Sequence, residues 1–212
     1  MDRIERDTIV DGAEDARDTF LLAHGAGAPM DSSFLARIAR GLAERGVRVV
    51  RFEFPYMARR RSEGKRGAPD REPVLRASWL EMIERFGGGS RVATGGKSLG
   101  GRIASMVADE AGVRGLVCFG YPFHPPGQPE RLRTKHLETL ATPALILQGT
   151  RDQFGTREDV AGYRLAPSIR IEWLEGGDHS FKPPARAETT EAGNIARAIE
   201  SAAAFIQALP RG

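Results

Sequence analysis

The hydrophobic pattern alternates between two kinds of segment along the whole chain. Short, continuously apolar runs occur at Thr19 to Ala23, Val47 to Phe54, Arg91 to Thr94, Gly115 to Phe119 and Ala144 to Leu147. Runs of this length with no polar face are what a strand buried on both sides requires. Between them, apolar residues recur at helical spacing: Phe34, Leu35, Ile38 and Leu42; Val74, Leu75, Trp79, Met82, Ile83 and Phe86; Ile103, Met106, Val107 and Ala111. A shorter helix is expected over Thr156 to Leu165, and a C-terminal amphipathic helix carries Ile195, Ile199, Ile206 and Leu209. Ile169, Ile171 and Trp173 alternate with polar residues, the pattern of a strand with one wetter face near a sheet edge. Residues 3–18, with Ile4, Ile9 and Val10, suit an edge strand or hairpin. Strand followed by helix, repeated, predicts an α/β fold: a mostly parallel sheet covered by helices on both faces.

Two stretches break this rhythm. Residues 57–71 hold Arg59-Arg60-Arg61, Lys65-Arg66, two glycines and a proline, and are expected as a solvated, mobile basic loop. Residues 121–136 form a proline-rich excursion with few helical options. Neither is long enough to be a second domain, so residues 1–212 are expected to fold as one unit.

Composition narrows the class. Hydrophobic residues make up 41% of 212, enough for a sizeable core, and there is no apolar run of roughly 18 residues to cross a membrane. The 31 basic residues are interspersed with 28 acidic ones, so nucleic acid is not an expected partner. The N-terminus is charged without an apolar signal core, which predicts a cytoplasmic protein. The single cysteine, Cys118, lies in an apolar strand and is read as core filler; alone, it forms no disulfide within the chain.

Candidate chemistry sits at the strand ends, where parallel sheets bind ligands. Gly95-Gly96-Lys97-Ser98-Leu99-Gly100-Gly101 follows a strand and opens a helix, the context of a G-x-S-x-G nucleophile elbow. A serine hydroxyl is a weak nucleophile at neutral pH and needs a base and a group to orient that base. His179, in a glycine-rich loop after a strand, is the candidate base, and Asp152, a short turn after Ala144 to Leu147, the candidate acid. Asp178 is a rival acid, disfavoured because adjacent residues on a loop rarely aim at each other. The backbone amides of Leu99 and of Ala26, in His24-Gly25-Ala26-Gly27, are the candidate oxyanion donors. His24 is expected to buttress that loop. His24, Tyr56, Tyr121 and His124 are also candidate pocket residues, with a structural loop role the stronger expectation for His124.

With these residues placed, the chain resembles the α/β-hydrolase superfamily over nearly its full length, and more narrowly its small, lidless, dienelactone-hydrolase-like branch. It is similar to bacterial predicted hydrolases related to the eukaryotic testis-expressed and chromatin-complex-subunit hydrolase-like proteins. The resemblance rests on His24-Gly25-Ala26-Gly27-Ala28, Phe54-Pro55-Tyr56-Met57, the elbow through Arg102, Tyr121 to Gly127, Gly149 to Asp152 and Gly177 to Phe181. It implies a single-domain α/β-hydrolase fold, a Ser98–Asp152–His179 triad and no cofactor or metal. The chain departs from the fuller form in two ways. Its N-terminus is short, so the first two antiparallel strands are expected to be reduced or absent. In place of a helical cap there is only the 121–136 excursion. Dienelactone hydrolases proper use a cysteine nucleophile, so Ser98 argues against that specific reaction.

The resulting expectation is a cytoplasmic serine hydrolase cleaving a small acyl ester or thioester through an acyl-enzyme, with no membrane partner. A peptidase or acyltransferase using the same triad, and a non-catalytic interaction module with the same fold, are the alternatives. The sequence leaves natural substrate and oligomeric state open.

Overall fold

The computed structural model describes residues 8–64 and 67–210. The apolar runs form a seven-stranded sheet: β1 (Thr8–Asp11), β2 (Asp18–Ala23), β3 (Val47–Phe52), β4 (Val92–Lys97), β5 (Leu116–Phe119), β6 (Ala144–Gly149) and β7 (Ile169–Leu174). Their spatial order is β1-β3-β2-β4-β5-β6-β7, and every pairing is parallel except β1 with β3. One antiparallel N-terminal strand is therefore present among the described residues. It is held by register and by charge: Arg51 on β3 pairs with Asp11 on β1 at 2.9 Å and also donates to the Met30 carbonyl.

The alternation of side chains along each strand explains why the runs are apolar throughout. Leu21 and Ala23 face one core, Phe20 and Leu22 the other; Leu116 and Cys118 oppose Val117 and Phe119; Ala144 and Ile146 oppose Leu145 and Leu147. The first core is closed by α3 (Glu72–Arg85) and α4 (Leu99–Ala111), the second by α1 (Ser33–Ala43) and α6 (Glu191–Ala208). Each fully buried Leu or Phe contributes about 1.5–3 kcal/mol, and helix stripes supply most of the partners. The outer strand β7 is only partly buried except at Leu174, as its alternating pattern predicts. The helix after β6, α5 (Arg157–Ala161), is shorter than the expected Thr156 to Leu165; Thr156 caps it with a reciprocal Asp159 box and Gly162 follows it.

The basic segment corrects an expectation. Residues 57–63 are not loop but belong to α2 (Pro55–Glu63), begun by Pro55 and ended by Gly64 at φ 68°. Tyr56 and Met57 are buried in the first core, which anchors the helix. Two of its three arginines meet carboxylates outside the helix, while Arg60 donates to the Ala26 and Gly67 carbonyls. Arg61 reaches Glu53 at 2.7 Å and Asp31 at 3.0 Å, and Arg59 reaches Asp70. Lys65 and Arg66, the rest of the basic run, lie outside the described residues. Residues 121–134 are irregular, as expected, and lead into a 3₁₀ turn at Lys135–Glu138.

Candidate active site

β4 delivers Ser98 to the carboxyl edge of the sheet, and α4 begins at the next residue. Ser98 has φ 51° and ψ −113°, a conformation that costs a non-glycine residue about 1–3 kcal/mol. Packing around it enforces that geometry. A Cβ at Gly96 would stand 2.5 Å from the Ala23 carbonyl oxygen, and one at Gly100 would stand 2.6 Å from the same atom. Both positions need glycine because β2 and the start of α4 cross the elbow at backbone distance. The Ser98 amide donates to the Phe119 carbonyl at 3.2 Å, fixing the turn against β5.

The candidate acid and base come from the two strands beyond. Asp152 lies in the turn after β6 and is fully enclosed. His179 lies in the loop after β7, with one fifth of its side chain exposed. The two turns are joined by the Arg151 amide, which donates to the Gly177 carbonyl at 2.9 Å. His179 Nδ1 then meets Asp152 Oδ2 at 2.7 Å, leaving Nε2 as the ring's remaining nitrogen. Asp178, the rival acid, uses Oδ1 to accept from the amides of Ser180 and Lys182 in its own turn. Burial lowers the His179 pKa and the Lys97 charge lowers it further, against the opposing pull of Asp152 and Asp178. The ring is thus held neutral at physiological pH, the form a general base needs. Among the described residues no hydrogen bond joins Ser98 Oγ to His179. Such nucleophile–base bonds are often long without substrate and tighten in its presence.

Three contributors carry no motif signal. Gln148, fully buried at the end of β6, donates from Nε2 to Asp152 Oδ2 at 2.9 Å and accepts at Oε1 from the Tyr121 amide at 2.7 Å. The Phe154 amide donates to Asp152 Oδ1 at 2.9 Å, and the Phe154 ring lies 4.2 Å from the His179 ring. Lys97 donates to the His179 carbonyl at 2.6 Å. Only Gln148 left a trace in the sequence, as a lone polar residue closing an apolar strand.

The loop after β2 approaches the elbow from the other side. A Cβ at Gly25 would lie 3.8 Å from Ser98 Cβ. His24 supports this loop from beneath: the Phe54 amide donates to its Nε2 at 3.1 Å, so Nδ1 carries the proton and donates to the Gly25 carbonyl at 2.7 Å. Burial lowers the His24 pKa, keeping it in that neutral form. The Tyr56 hydroxyl donates to the Ala26 carbonyl at 3.1 Å, and burial raises its pKa. Ala26 itself is exposed. Leu99 is the first residue of α4, so its amide has no intrahelical acceptor and lies at the positive end of the helix dipole.

The four candidate pocket residues are enclosed, with their polar atoms turned toward protein. His24 and Tyr56 hold the Gly25–Ala26 loop as described. Tyr121 directs its hydroxyl to the Arg133 carbonyl at 3.0 Å. His124 bonds through Nδ1 to the Pro125 carbonyl, with Nε2 3.6 Å from Asp159. No cluster of three or more His, Cys, Asp or Glu side chains placed to hold a metal ion exists among the described residues.

A family model described as an alpha/beta hydrolase domain matches residues 16–207. The chain belongs to the alpha/beta hydrolase family. This alpha/beta hydrolase superposes on a dienelactone hydrolase from Anabaena variabilis with a TM-score of 0.72 and 19% identity, covering 96% of this chain and 92% of the other. An alpha-beta serine hydrolase homologue from Coxiella burnetii gives 0.67 at 19% identity, over 96% and 91%. A serine hydrolase without a lid from Xanthomonas campestris gives 0.64 at 18% identity, over 97% and 90%. At these identities the likeness is one of fold. Among the described residues, no helix of this hydrolase is long and apolar enough to cross a membrane.

Proposed function

We propose that this alpha/beta hydrolase is a serine hydrolase that cleaves a small acyl ester or thioester, with Ser98, His179 and Asp152 as its triad. The observation that carries the reading is the 2.7 Å contact of His179 with a buried Asp152, set across the sheet edge from a serine in a strained elbow. His179 Nε2 takes the Ser98 proton as Oγ attacks the acyl carbonyl. Charge then develops on the carbonyl oxygen, where the amides of Leu99 and Ala26 receive it. The C–O or C–S bond breaks, His179 returns the proton to the leaving alkoxide or thiolate, and an acyl-Ser98 ester remains. Water, deprotonated by the same nitrogen, repeats the attack and frees the acid and the serine. Asp152 holds the Nδ1–H throughout and offsets the charge of the transient imidazolium. The 121–136 excursion is a short arm rather than a cap, which favours a small or open-ended acyl group. The absence of a cysteine at position 98 argues against dienelactone turnover by a thiolate.

Purified protein should turn over p-nitrophenyl acetate or an acetyl thioester and be labelled by a fluorophosphonate probe, with both lost in Ser98→Ala. Wild-type protein that is folded, unlabelled and inactive on a panel of short esters and thioesters would sink this reading in favour of a non-catalytic module. Product analysis with an added amine or peptide acceptor separates hydrolysis from acyl transfer.

A further inference from the structure

Lys97 is a cation the triad chemistry does not use. It ends β4, directly before Ser98, yet its side chain crosses to the loop that carries the base. Nζ donates to the His179 main-chain carbonyl at 2.6 Å and stands 5.6 Å from the centre of the Phe34 ring. Its hydrogen-bond acceptor is a neutral carbonyl rather than a carboxylate. Gly120, at the end of β5, makes the passage possible, since a Cβ there would lie 2.9 Å from both Lys97 Nζ and the His179 carbonyl oxygen. The space is therefore shaped around this one ammonium and this one carbonyl. The charged and titratable groups that face it are Asp152, Asp178 and the His179 ring. Burial pushes the Lys97 ammonium down to about 7, while Asp152 and Asp178 pull it up.

We propose that Lys97 is a positioning residue for the base. It straps the His179 backbone to the strand that carries the nucleophile, and its charge opposes a second positive charge on the imidazole. This proposal deepens the serine hydrolase reading and rests on it. The reasoning is geometric first. His179 sits on a loop after an edge strand, while Ser98 sits near the middle of the sheet, with β5 and β6 between them. The Asp152 contact fixes the ring at Nδ1 but leaves the loop's distance from the elbow to its backbone. A side chain anchored one residue before Ser98 and bonded to the His179 carbonyl sets that distance directly. The electrostatic part follows from sign. A neighbouring ammonium disfavours imidazolium, so the ring stays available as a base to lower pH than it otherwise would.

The test is a titration of the His179 ring by NMR with labelled histidine, its signal identified by loss in His179→Ala, in wild type, Lys97→Met and Lys97→Gln. Both variants remove the charge; only Gln keeps a donor for the carbonyl. The His179 midpoint is expected to move upward in both, and the acid limb of kcat/KM on p-nitrophenyl acetate to move with it. Amide exchange over residues 177–181 is expected to speed up at least tenfold in Lys97→Met and to stay near wild type in Lys97→Gln. An unmoved His179 midpoint in Lys97→Gln overturns the proposal, and that variant decides the question even if Lys97→Met does not fold. The ring titration needs no turnover. Loss of the hydrolase reading, seen as wild-type protein that neither turns over esters nor takes the probe, is thus distinguishable from loss of the Lys97 role.

Discussion

His179 Nδ1 lies 2.7 Å from Asp152 Oδ2, and that carboxylate is immobilised at both oxygens, by Gln148 at one and the Phe154 amide at the other. A neutral amide in place of the acid keeps the shape and loses both the charge and the control of the tautomer. Asp152→Asn is expected to lower kcat by about 10³–10⁴ with little change in KM. Steady-state kinetics on p-nitrophenyl acetate, with near-UV circular dichroism to show an intact fold, checks this. A loss smaller than tenfold would remove Asp152 from the mechanism.

The pH dependence has a defined sign. The His179 pKa is lowered, first by burial and then by Lys97. A base works only when deprotonated, so activity rises with pH through the folded-state pKa. The acid limb of kcat/KM is expected to have its midpoint below about 6.5, the ordinary histidine value. A midpoint above that value would mean that Asp152 and Asp178 outweigh burial.

The elbow stores strain that two Ser98 variants can expose. Ser98→Ala keeps a Cβ at φ 51°, whereas Ser98→Gly does not. Strain relief of about 1–3 kcal/mol exceeds the extra entropy glycine loses on folding, so Ser98→Gly is expected to be about 1 kcal/mol more stable than Ser98→Ala. Urea unfolding of the pair measures it. Equal stability would mean that the turn relaxes once the hydroxyl is gone.

His136 is expected to make the fold less stable in acid. His136 shares a 2.8 Å hydrogen bond with Ser105 on α4, and burial, then the Arg102 charge, push its pKa down to about 4. In the unfolded chain the ring titrates near 6.5. Between those values the unfolded state binds more protons, so stability is full above about 6.5 and is lost as pH falls toward 4. The full shift corresponds to about 3 kcal/mol; partial screening by solvent reduces it to ~1–2 kcal/mol. His136→Gln is expected to flatten this slope, read as the difference in unfolding free energy between pH 7.5 and 5.

The strands and the order of the candidate residues were legible because their physics is local. A strand buried on two faces, such as Phe20 to Ala23, has no choice but to be apolar, and a serine between glycines after such a strand leaves few turns open. The expected acid and base, Asp152 and His179, meet in the fold. Helix α2 was not legible. Arg61 looks solvated in sequence because Glu53 and Asp31, which neutralise it, lie outside the basic segment, and Arg59 meets Asp70 only when the chain after the helix turns back. Lys97 was hidden for the same reason, since it acts on a loop far away in the chain, whereas Gln148 and the Phe154 amide hold Asp152 from its own turn without a motif to mark them. The Tyr121 hydroxyl bonds to the Arg133 carbonyl and His124 Nδ1 to the Pro125 carbonyl, the latter in keeping with the structural loop role expected of His124.

The proline-rich excursion has its ends tied together, since the Arg133 amide donates to the Phe123 carbonyl at 2.8 Å. The His124 amide still donates to the Phe154 carbonyl, but residues 125–132 beyond it are exposed or half-buried and stand outside the framework that holds Asp152 and His179. Chain length added there lengthens a loop that is already closed, at a cost that grows only with the logarithm of its size. Natural variation or engineering can therefore grow a lid from this position while the Asp152–His179 pair beneath keeps its geometry.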